Sequence, residues 1–238
     1  MKNTIYIGFD PREADGFAVT RRSIQNHCNT PIPVFGLVLP MLKDMGFFSR
    51  KQYIEDGQLY DEISQAPCAT EFSISRFLTP ILAQSGWAMF CDSDMLFRRD
   101  VHHLFEGLDP SKPMYCVKHN HNPTAKVKMD NQIQTQYNCK NWSSVMIFNC
   151  DHPKTRRLTT ELVNTVPGRD LHRFCWLDDL DEDVGALDER WNWLSGHSDP
   201  NLDPYNVHFT EGLPSMPGYE DIQFADEWRE ELGNWAIK

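Results

Sequence analysis

Two aspartates spaced two apart, Asp92 and Asp94, follow the apolar run Trp87-Ala88-Met89-Phe90-Cys91. In an extended backbone, residues i and i+2 point the same way, so both carboxylates can aim at one point. Hard oxygen ligands converging in this manner suit Mn²⁺ or Mg²⁺. A surface turn with two solvated acids has the same spacing, and the preceding run bears on the choice between the two. An apolar stretch without alternation reads as a strand buried on both faces, the usual state of a parallel strand. Open α/β sheets bind their ligands at the carboxyl ends of such strands.

The elements that must position this pair can be read on either side of it. Ile5, Ile7 and Phe9 alternate with Tyr6 and Gly8, which predicts a first strand ending at Asp10. Asp10, Pro11 and Glu13 then resemble a helix start, with Asp10 as N-cap, Pro11 at the first position and Glu13 closing a capping box. Free N–H groups at that start could receive a phosphate or nucleotide, although capping alone explains Asp10. Residues 33–39 predict a second strand, and 40–69 a mixture of short helices and loops. Thr70 caps a helix ending at Gly86, with Ile74, Phe77, Leu78, Ile81 and Leu82 as its apolar stripe. Arg76 sits beside that stripe, where a solvated or ion-paired residue is the plain reading.

Further on, Asp100 caps a short helix over 101–108, whose adjacent His102 and His103 cannot face each other and so do not suggest a shared metal. Strands are predicted at 113–117 and 143–150, and a helix carrying Leu158, Leu162 and Val163 after Asp151 and Pro153. The polar stretch 118–140 reads as a loop that could cover an active site or touch an acceptor, or simply lie in solvent. The acidic run from Asp178 to Asp183 reads as a solvated face. Val207-His208-Phe209 and a helix with Phe224, Trp228, Leu232 and Trp235 on one side close the chain.

A length of 238 residues suits a single α/β domain with a sizeable core. The formal charge of −11 argues against a nucleic-acid binder, whose phosphate contacts need a basic surface. No apolar run reaches membrane-spanning length, and the amino-terminal residues enter a strand pattern without a leader-like region, so a cytoplasmic protein is expected. The seven cysteines are scattered, with no CxxC pair, which disfavours a zinc ribbon or a complete disulfide framework.

Taken as ordered blocks, the sequence resembles glycosyltransferases of the GT-A fold, closest to family 8, the glycogenin and lipopolysaccharide galactosyltransferase group. Ser75-Arg76-Phe77-Leu78-Thr79-Pro80-Ile81-Leu82 followed by Met89-Phe90-Cys91-Asp92-Ser93-Asp94 looks like that family's arginine helix and Asp-x-Asp strand. Residues 141–149 look like its "FNAGVMLFN" strand, 188–193 like the segment before its last core strand, and 207–209 like the strand carrying a third metal ligand. The resemblance implies an α/β, Rossmann-like GT-A fold with a mostly parallel central sheet flanked by helices. It implies a nucleotide-diphosphate sugar donor, most often a UDP-sugar, an acceptor hydroxyl, and Mn²⁺ (or Mg²⁺) held by Asp92, Asp94 and His208. Phe9, Asp10 and Arg12 would hold the nucleoside, with Ser93 beside them, and Arg76 would lie at the donor sugar or diphosphate. Transfer with retention of anomeric configuration is the implied outcome.

Two departures stand out. The family's diphosphate-binding lysine, in a "GxxKPW"-like loop, has no counterpart in Glu211–Tyr219, where backbone N–H groups near Gly212 could assist instead. The family's "DQD" segment is altered, with Asp178 and Asp179 the nearest match; Asp179 is favoured for a role at the sugar. Two rivals remain. A strand ending Asp-x-Asp is also the nucleophile motif of haloacid-dehalogenase-type phosphatases, although there it normally opens the domain and is followed by Thr or Val, whereas Met95 and Leu96 follow here. The absent lysine also admits a nucleotide-sugar-binding protein without turnover.

Overall fold

In the computed structural model of the protein, which describes residues 3–119, 139 and 141–233, the apolar runs form a six-stranded sheet. Its strands are β1 (Asn3–Gly8), β2 (Val34–Leu37), β6 (Trp87–Cys91), β8 (Met114–Cys116), β9 (Val145–Asn149) and β10 (Val184–Ala186), in the order β10-β8-β9-β6-β1-β2. All run parallel except β9, which is antiparallel to β6 and β8. Every residue of β6 and β9 is buried, because both faces of the sheet are covered. Ala88 and Phe90 point into an apolar cluster with Phe72, Phe77 and Leu78, while Trp87, Met89 and Cys91 point into another with Ile24, Phe97 and Trp191. The mostly parallel α/β expectation is met. Its carboxyl edge carries Asp92, whose N–H donates to the Ser144 carbonyl at 3.0 Å.

A smaller sheet explains how the distant His208 reaches that edge. It joins β7 (Met95–Phe97), β11 (Trp193–Leu194) and β12 (Asn206–His208) in the order β11-β12-β7. β12 is antiparallel to β7 with His208 opposite Met95, and the Phe209 N–H donates to the Asp94 carbonyl at 2.9 Å. The strand that follows the acidic pair is therefore the one that recruits the histidine.

Residues 40–69 hold more regular structure than their pattern indicates. α2 (Leu39–Asp44) starts earlier than expected and shortens the second strand, with Pro40 in its first turn. A three-stranded antiparallel sheet follows: β3 (Gln52–Glu55), β4 (Gln58–Asp61) and β5 (Ala66–Cys68). Asp56 and Gly57, at φ 50° and 78°, form the two-residue turn of the β3–β4 hairpin, the Asp-Gly sequence that such turns prefer. Buried Arg50 and Asp61 form an ion pair behind this sheet, and Arg50 Nη1 also donates to the Val163 and Val166 carbonyls at 2.8 and 2.7 Å.

The helix expected from Thr70 to Gly86 is broken into α3 (Phe72–Ser75), a 3₁₀ turn over Arg76–Leu78, and α4 (Thr79–Ala83). Pro80 lacks the N–H that would bond to the Arg76 carbonyl, which accepts the Thr79 hydroxyl at 2.8 Å instead. The remaining helices are α1 (Ala14–His27), α5 (Thr160–Thr165), α6 (Gly168–Leu171), α7 (Leu180–Asp183) and α8 (Ala225–Gly233). α5 starts later than the helix expected after Asp151, with the Thr159 hydroxyl as its cap, and the turn after Asp100 ends at Phe105. The proposed cover loop over 118–140, apart from its first two residues and Cys139, lies outside the described residues, as does Trp235. No helix among the described residues is long and apolar enough to cross a membrane.

Candidate active site

Asp92, Asp94 and His208 come together at the carboxyl edge of the large sheet, each offering a ligand atom within 4.8 Å of the others. His208 Nε2 lies 3.3 Å from Asp94 Oδ1 and 3.9 Å from Asp92 Oδ2. Which nitrogen of the ring carries a proton follows from its neighbour. The Asn192 amide nitrogen donates to the Ser144 hydroxyl at 2.9 Å and to the Asn141 carbonyl at 3.2 Å, so Asn192 Oδ1 faces His208 Nδ1, also at 2.9 Å. Nδ1 must donate that bond, so Nε2 is the atom aimed between the two carboxylates, and it offers them its lone pair whenever the ring is neutral.

With a neutral ring, three acceptors face one another and only Arg76, beside Asp92, offsets them; a proton on Nε2 or a divalent ion would relieve the rest. Asp92 Oδ1 and Asp94 Oδ1 are buried and accept no hydrogen bond of regular geometry. The chain's own electrostatics register the same strain. Burial pushes the Asp92 carboxyl up to about 6, with Asp94 adding to the rise and Arg76 opposing it. Burial lowers the His208 pKa, yet the Asp94 and Asp92 carboxylates together raise it, and the net direction is upward. The donor set, two carboxylates and an imidazole with a fixed tautomer, fits Mn²⁺ or another divalent ion.

Arg76 is buried against this pair rather than solvated. Its Nη1 lies 2.9 Å from Asp92 Oδ1 and donates to the Ser143 carbonyl at 2.9 Å. Its guanidinium also lies over the Phe90 and Phe72 rings, 4.9 and 5.3 Å from their centroids. Phe72 in turn occupies the space a Cβ on Gly8 would need, so β1 must end in glycine for α3 to approach.

Ser93, fully buried, is fixed from α1. Its hydroxyl donates to Glu13 Oε2 at 2.8 Å and its carbonyl accepts the Thr20 hydroxyl at 2.7 Å. Glu13 is thus a third carboxylate at this centre rather than the closing member of a capping box. Burial and Asp94 push it up to about 7, against the Ser93 hydroxyl. Neither Glu13 nor Asn192 was singled out as a site residue from the sequence. The available signal for Asn192 was its polar side chain between Trp191 and Trp193.

The other candidates are placed less directly. Asp10 accepts from the Arg12 N–H, Nε and Nη2 at 2.9, 3.0 and 2.8 Å, and from the Glu71 N–H at 3.0 Å. Burial opposes its ionisation, but the Arg12 hydrogen bonds hold its pKa below the usual value. Arg12 also donates to the Ala69 carbonyl, so the pair braces the loop after β1 against the segment leading into α3. Phe9 packs edge-on against Phe17 with ring centroids 5.2 Å apart. Gly212 abuts the Tyr219 ring, which a Cβ would strike. Asp178 is ion-paired with Arg157 and Lys154 at 2.7 and 3.1 Å, and Asp179 caps α7 by accepting from the Asp181 and Glu182 N–H groups. These bonds engage both carboxylates away from the metal-ligand candidates, and no described hydrogen bond or ion pair joins either one to Asp92, Asp94, His208 or Arg76.

Known proteins can be compared on this geometry. No family model matches the chain. Protein CDI of Arabidopsis thaliana is 40% identical over 234 residues, covering 96% of this chain and 85% of its own length. Among solved structures, the bifunctional glycosyltransferase WbbM matches with a TM-score of 0.62 at 15% identity, over 98% of this chain. This chain spans 50% of that larger protein. The galactosyltransferase LgtC, solved with donor and acceptor sugar analogs, matches with a TM-score of 0.58 at 12% identity, over 97% of this chain and 95% of its own. Identities this low speak for the fold. The protein belongs to the family of Protein CDI and is built on the GT-A glycosyltransferase fold.

Proposed function

We propose that the protein is a metal-dependent glycosyltransferase that moves a sugar from a nucleotide-diphosphate donor, a UDP-sugar, to an acceptor hydroxyl with retention at the anomeric carbon. The observation that carries this reading is His208 Nε2, held by the Asn192 bond to Nδ1 so that it faces Asp92 and Asp94 at the carboxyl edge of a GT-A sheet. The similar fold of LgtC, solved with donor and acceptor sugar analogs, supports a sugar donor and an acceptor here. The assignment to family 8, and with it retention, rests on the block resemblance in the sequence.

A divalent ion at this centre would supply charge neutralisation for the diphosphate that leaves as the glycosidic bond breaks. Asp92, Asp94 and His208 would hold it, and Asn192 keeps the histidine in the required tautomer. Arg76, with Asp92 on one side and the Phe90 and Phe72 faces beneath it, presents a positive charge at the edge of the site. With no lysine in the loop 211–219, Arg76 is assigned the diphosphate or donor sugar, assisted by N–H groups near Gly212. Phe9, Asp10 and Arg12 are assigned the nucleoside. Asp179, or Asp178 beside it, is assigned the sugar hydroxyls, which requires those carboxylates to exchange their present partners. Seven unpaired thiols support work in a reducing, cytoplasmic setting.

The test is a screen of nucleotide sugars with Mn²⁺, reading donor hydrolysis and thermal shift together. A UDP-sugar should give Mn²⁺-dependent UDP release, which Asp94→Ala lowers by more than about a hundredfold, in line with loss of leaving-group stabilisation. Phosphate release from simple phosphomonoesters without sugar-nucleotide turnover would sink the assignment and favour the phosphatase reading. An inverted product would remove retention while leaving glycosyl transfer in place.

A further inference from the structure

A second constellation of metal-binding side chains lies outside the acidic centre. Cys28, Asp100 and His102 each present a ligand atom within 4.8 Å of the other two. They come from different elements: Cys28 ends α1, Asp100 follows β7, and His102 lies in the 3₁₀ turn that Asp100 caps. α1 and β7 both start at the acidic centre, where Glu13 and Thr20 hold Ser93 and Met95, and both run to this cluster. Along α1, Thr20, which meets the Ser93 and Met95 carbonyls, lies eight residues before Cys28, a rise of about 12 Å at 1.5 Å per residue, so the two centres are distinct.

The supporting contacts prepare these groups for a cation. His102 Nε2 lies 2.9 Å from the Thr30 hydroxyl, which can donate or accept, and 3.1 Å from the Thr30 carbonyl, which can only accept; a proton on Nε2 satisfies both contacts and keeps the lone pair on Nδ1. A backbone carbonyl fixing one ring nitrogen is the usual companion of a metal-binding histidine. Asp100 is held in place from two sides: Oδ2 accepts from the Asn29 N–H at 3.0 Å and its amide nitrogen at 2.8 Å, and Oδ1 from the His102 N–H at 2.9 Å. All three residues are partly exposed, which leaves a path for an ion and an open coordination position for water.

We propose that Cys28, Asp100 and His102 form a second metal site, selective for Zn²⁺ or a similar borderline-soft divalent ion. A thiolate and a carboxylate balance the ion's charge, and sulfur with imidazole prefers Zn²⁺ to Mg²⁺ or Mn²⁺. Tetrahedral Zn²⁺ with bonds of about 2.0–2.3 Å places its ligands about 3.3–3.8 Å apart, so closure needs side-chain movements of about an ångström. Such an ion would staple the end of α1 to the segment that continues from the Asp92–Asp94 turn. The site is independent of the proposed glycosyl transfer.

Spectroscopy with Co²⁺ as a stand-in for Zn²⁺ tests this on the full chain. One equivalent of Co²⁺ should produce a thiolate-to-cobalt charge-transfer band that Zn²⁺ displaces. Cys28→Ser should abolish the band, and His102→Gln should weaken binding by more than about tenfold, the scale on which even outer-sphere changes act. Asp94→Ala should leave the band intact, which keeps this result separate from any failure at the acidic centre. Absence of the band in the folded wild type, or its persistence in Cys28→Ser, would overturn the proposal. If Cys28→Ser does not fold, the His102→Gln titration decides: unchanged affinity rejects the site.

Discussion

At the scale of single residues, the candidate site depends on one amide as much as on the acidic pair. Asn192 sets the His208 tautomer through a bond whose direction is fixed by Ser144 and the Asn141 carbonyl. Asn192→Ala should therefore weaken Mn²⁺ binding by about 10–100-fold, measured by calorimetry, although the residue is not itself a proposed ligand and acts through His208. Asn192→Asp should retain more affinity than Ala, because a carboxylate oxygen can still accept from Nδ1. Equal affinity in the wild type and Asn192→Ala would show that His208 does not act through this bond. Glu13 illustrates the other side of the same lesson. Its position three residues after an N-cap has a local explanation, and its side chain nevertheless turns to Ser93 in the centre of the site.

At the scale of elements, the acidic turn is held between parts of the chain far apart in sequence. α1 grips it through Thr20, whose hydroxyl meets the Ser93 and Met95 carbonyls, and β12 grips it by pairing with β7. The three-stranded sheet β3–β5 is fastened differently, by a buried ion pair. Asp61→Ala would leave the Arg50 guanidinium buried without its counter-charge, with only carbonyls and a serine hydroxyl as partners. A loss of about 3–5 kcal/mol is expected in denaturant unfolding. Replacing both residues by apolar side chains of similar volume should cost much less, since no uncompensated charge remains. A double variant as unstable as Asp61→Ala would show that packing, not charge, dominates there.

At the scale of the whole molecule, unfolding free energy should carry the signature of His172. This ring is buried, accepts from the Ser143 hydroxyl at 2.7 Å and donates to the Ser73 carbonyl at 3.1 Å. Burial and the nearby Arg76 charge lower its pKa to about 3. The unfolded chain, with an ordinary histidine, then binds a proton that the folded chain refuses. The stabilisation from a neutral His172 is complete above about pH 6.5 and is lost as pH falls towards 3, by up to about 1.4 kcal/mol per pH unit. Glu13, Asp92 and His208 shift upward and act in the opposite sense, so the raw pH profile mixes both. The measurement that isolates His172 is the difference between wild type and His172→Gln, which should shrink below pH 6.5. A difference independent of pH would mean that the ring titrates normally.

The strands that set the architecture were legible because their signal is local: β6 is apolar at every position and β9 at all but its last, Asn149, and burial on both faces demands that. Asp92 and Asp94 were legible for the same reason, since two-residue spacing at a strand end fixes their common direction without reference to the rest of the chain. His208 was reachable through resemblance, but its meeting with Asp94 depends on β12 pairing with β7 across more than a hundred residues, a register that no local pattern encodes. The β3–β4 hairpin carried a local signal in Asp56-Gly57, while its short, polar-mixed strands concealed it. From periodicity alone Arg76 reads as a surface residue, and only the resemblance assigned it to the donor; the break before Pro80 and the aromatic bed of Phe72 and Phe90 bury it beside Asp92. Sequence thus determined the sheet and the acidic pair, whose causes act within a few residues. Tertiary structure decided which distant side chains surround that pair and what charge each one meets, because those depend on distances that only packing sets.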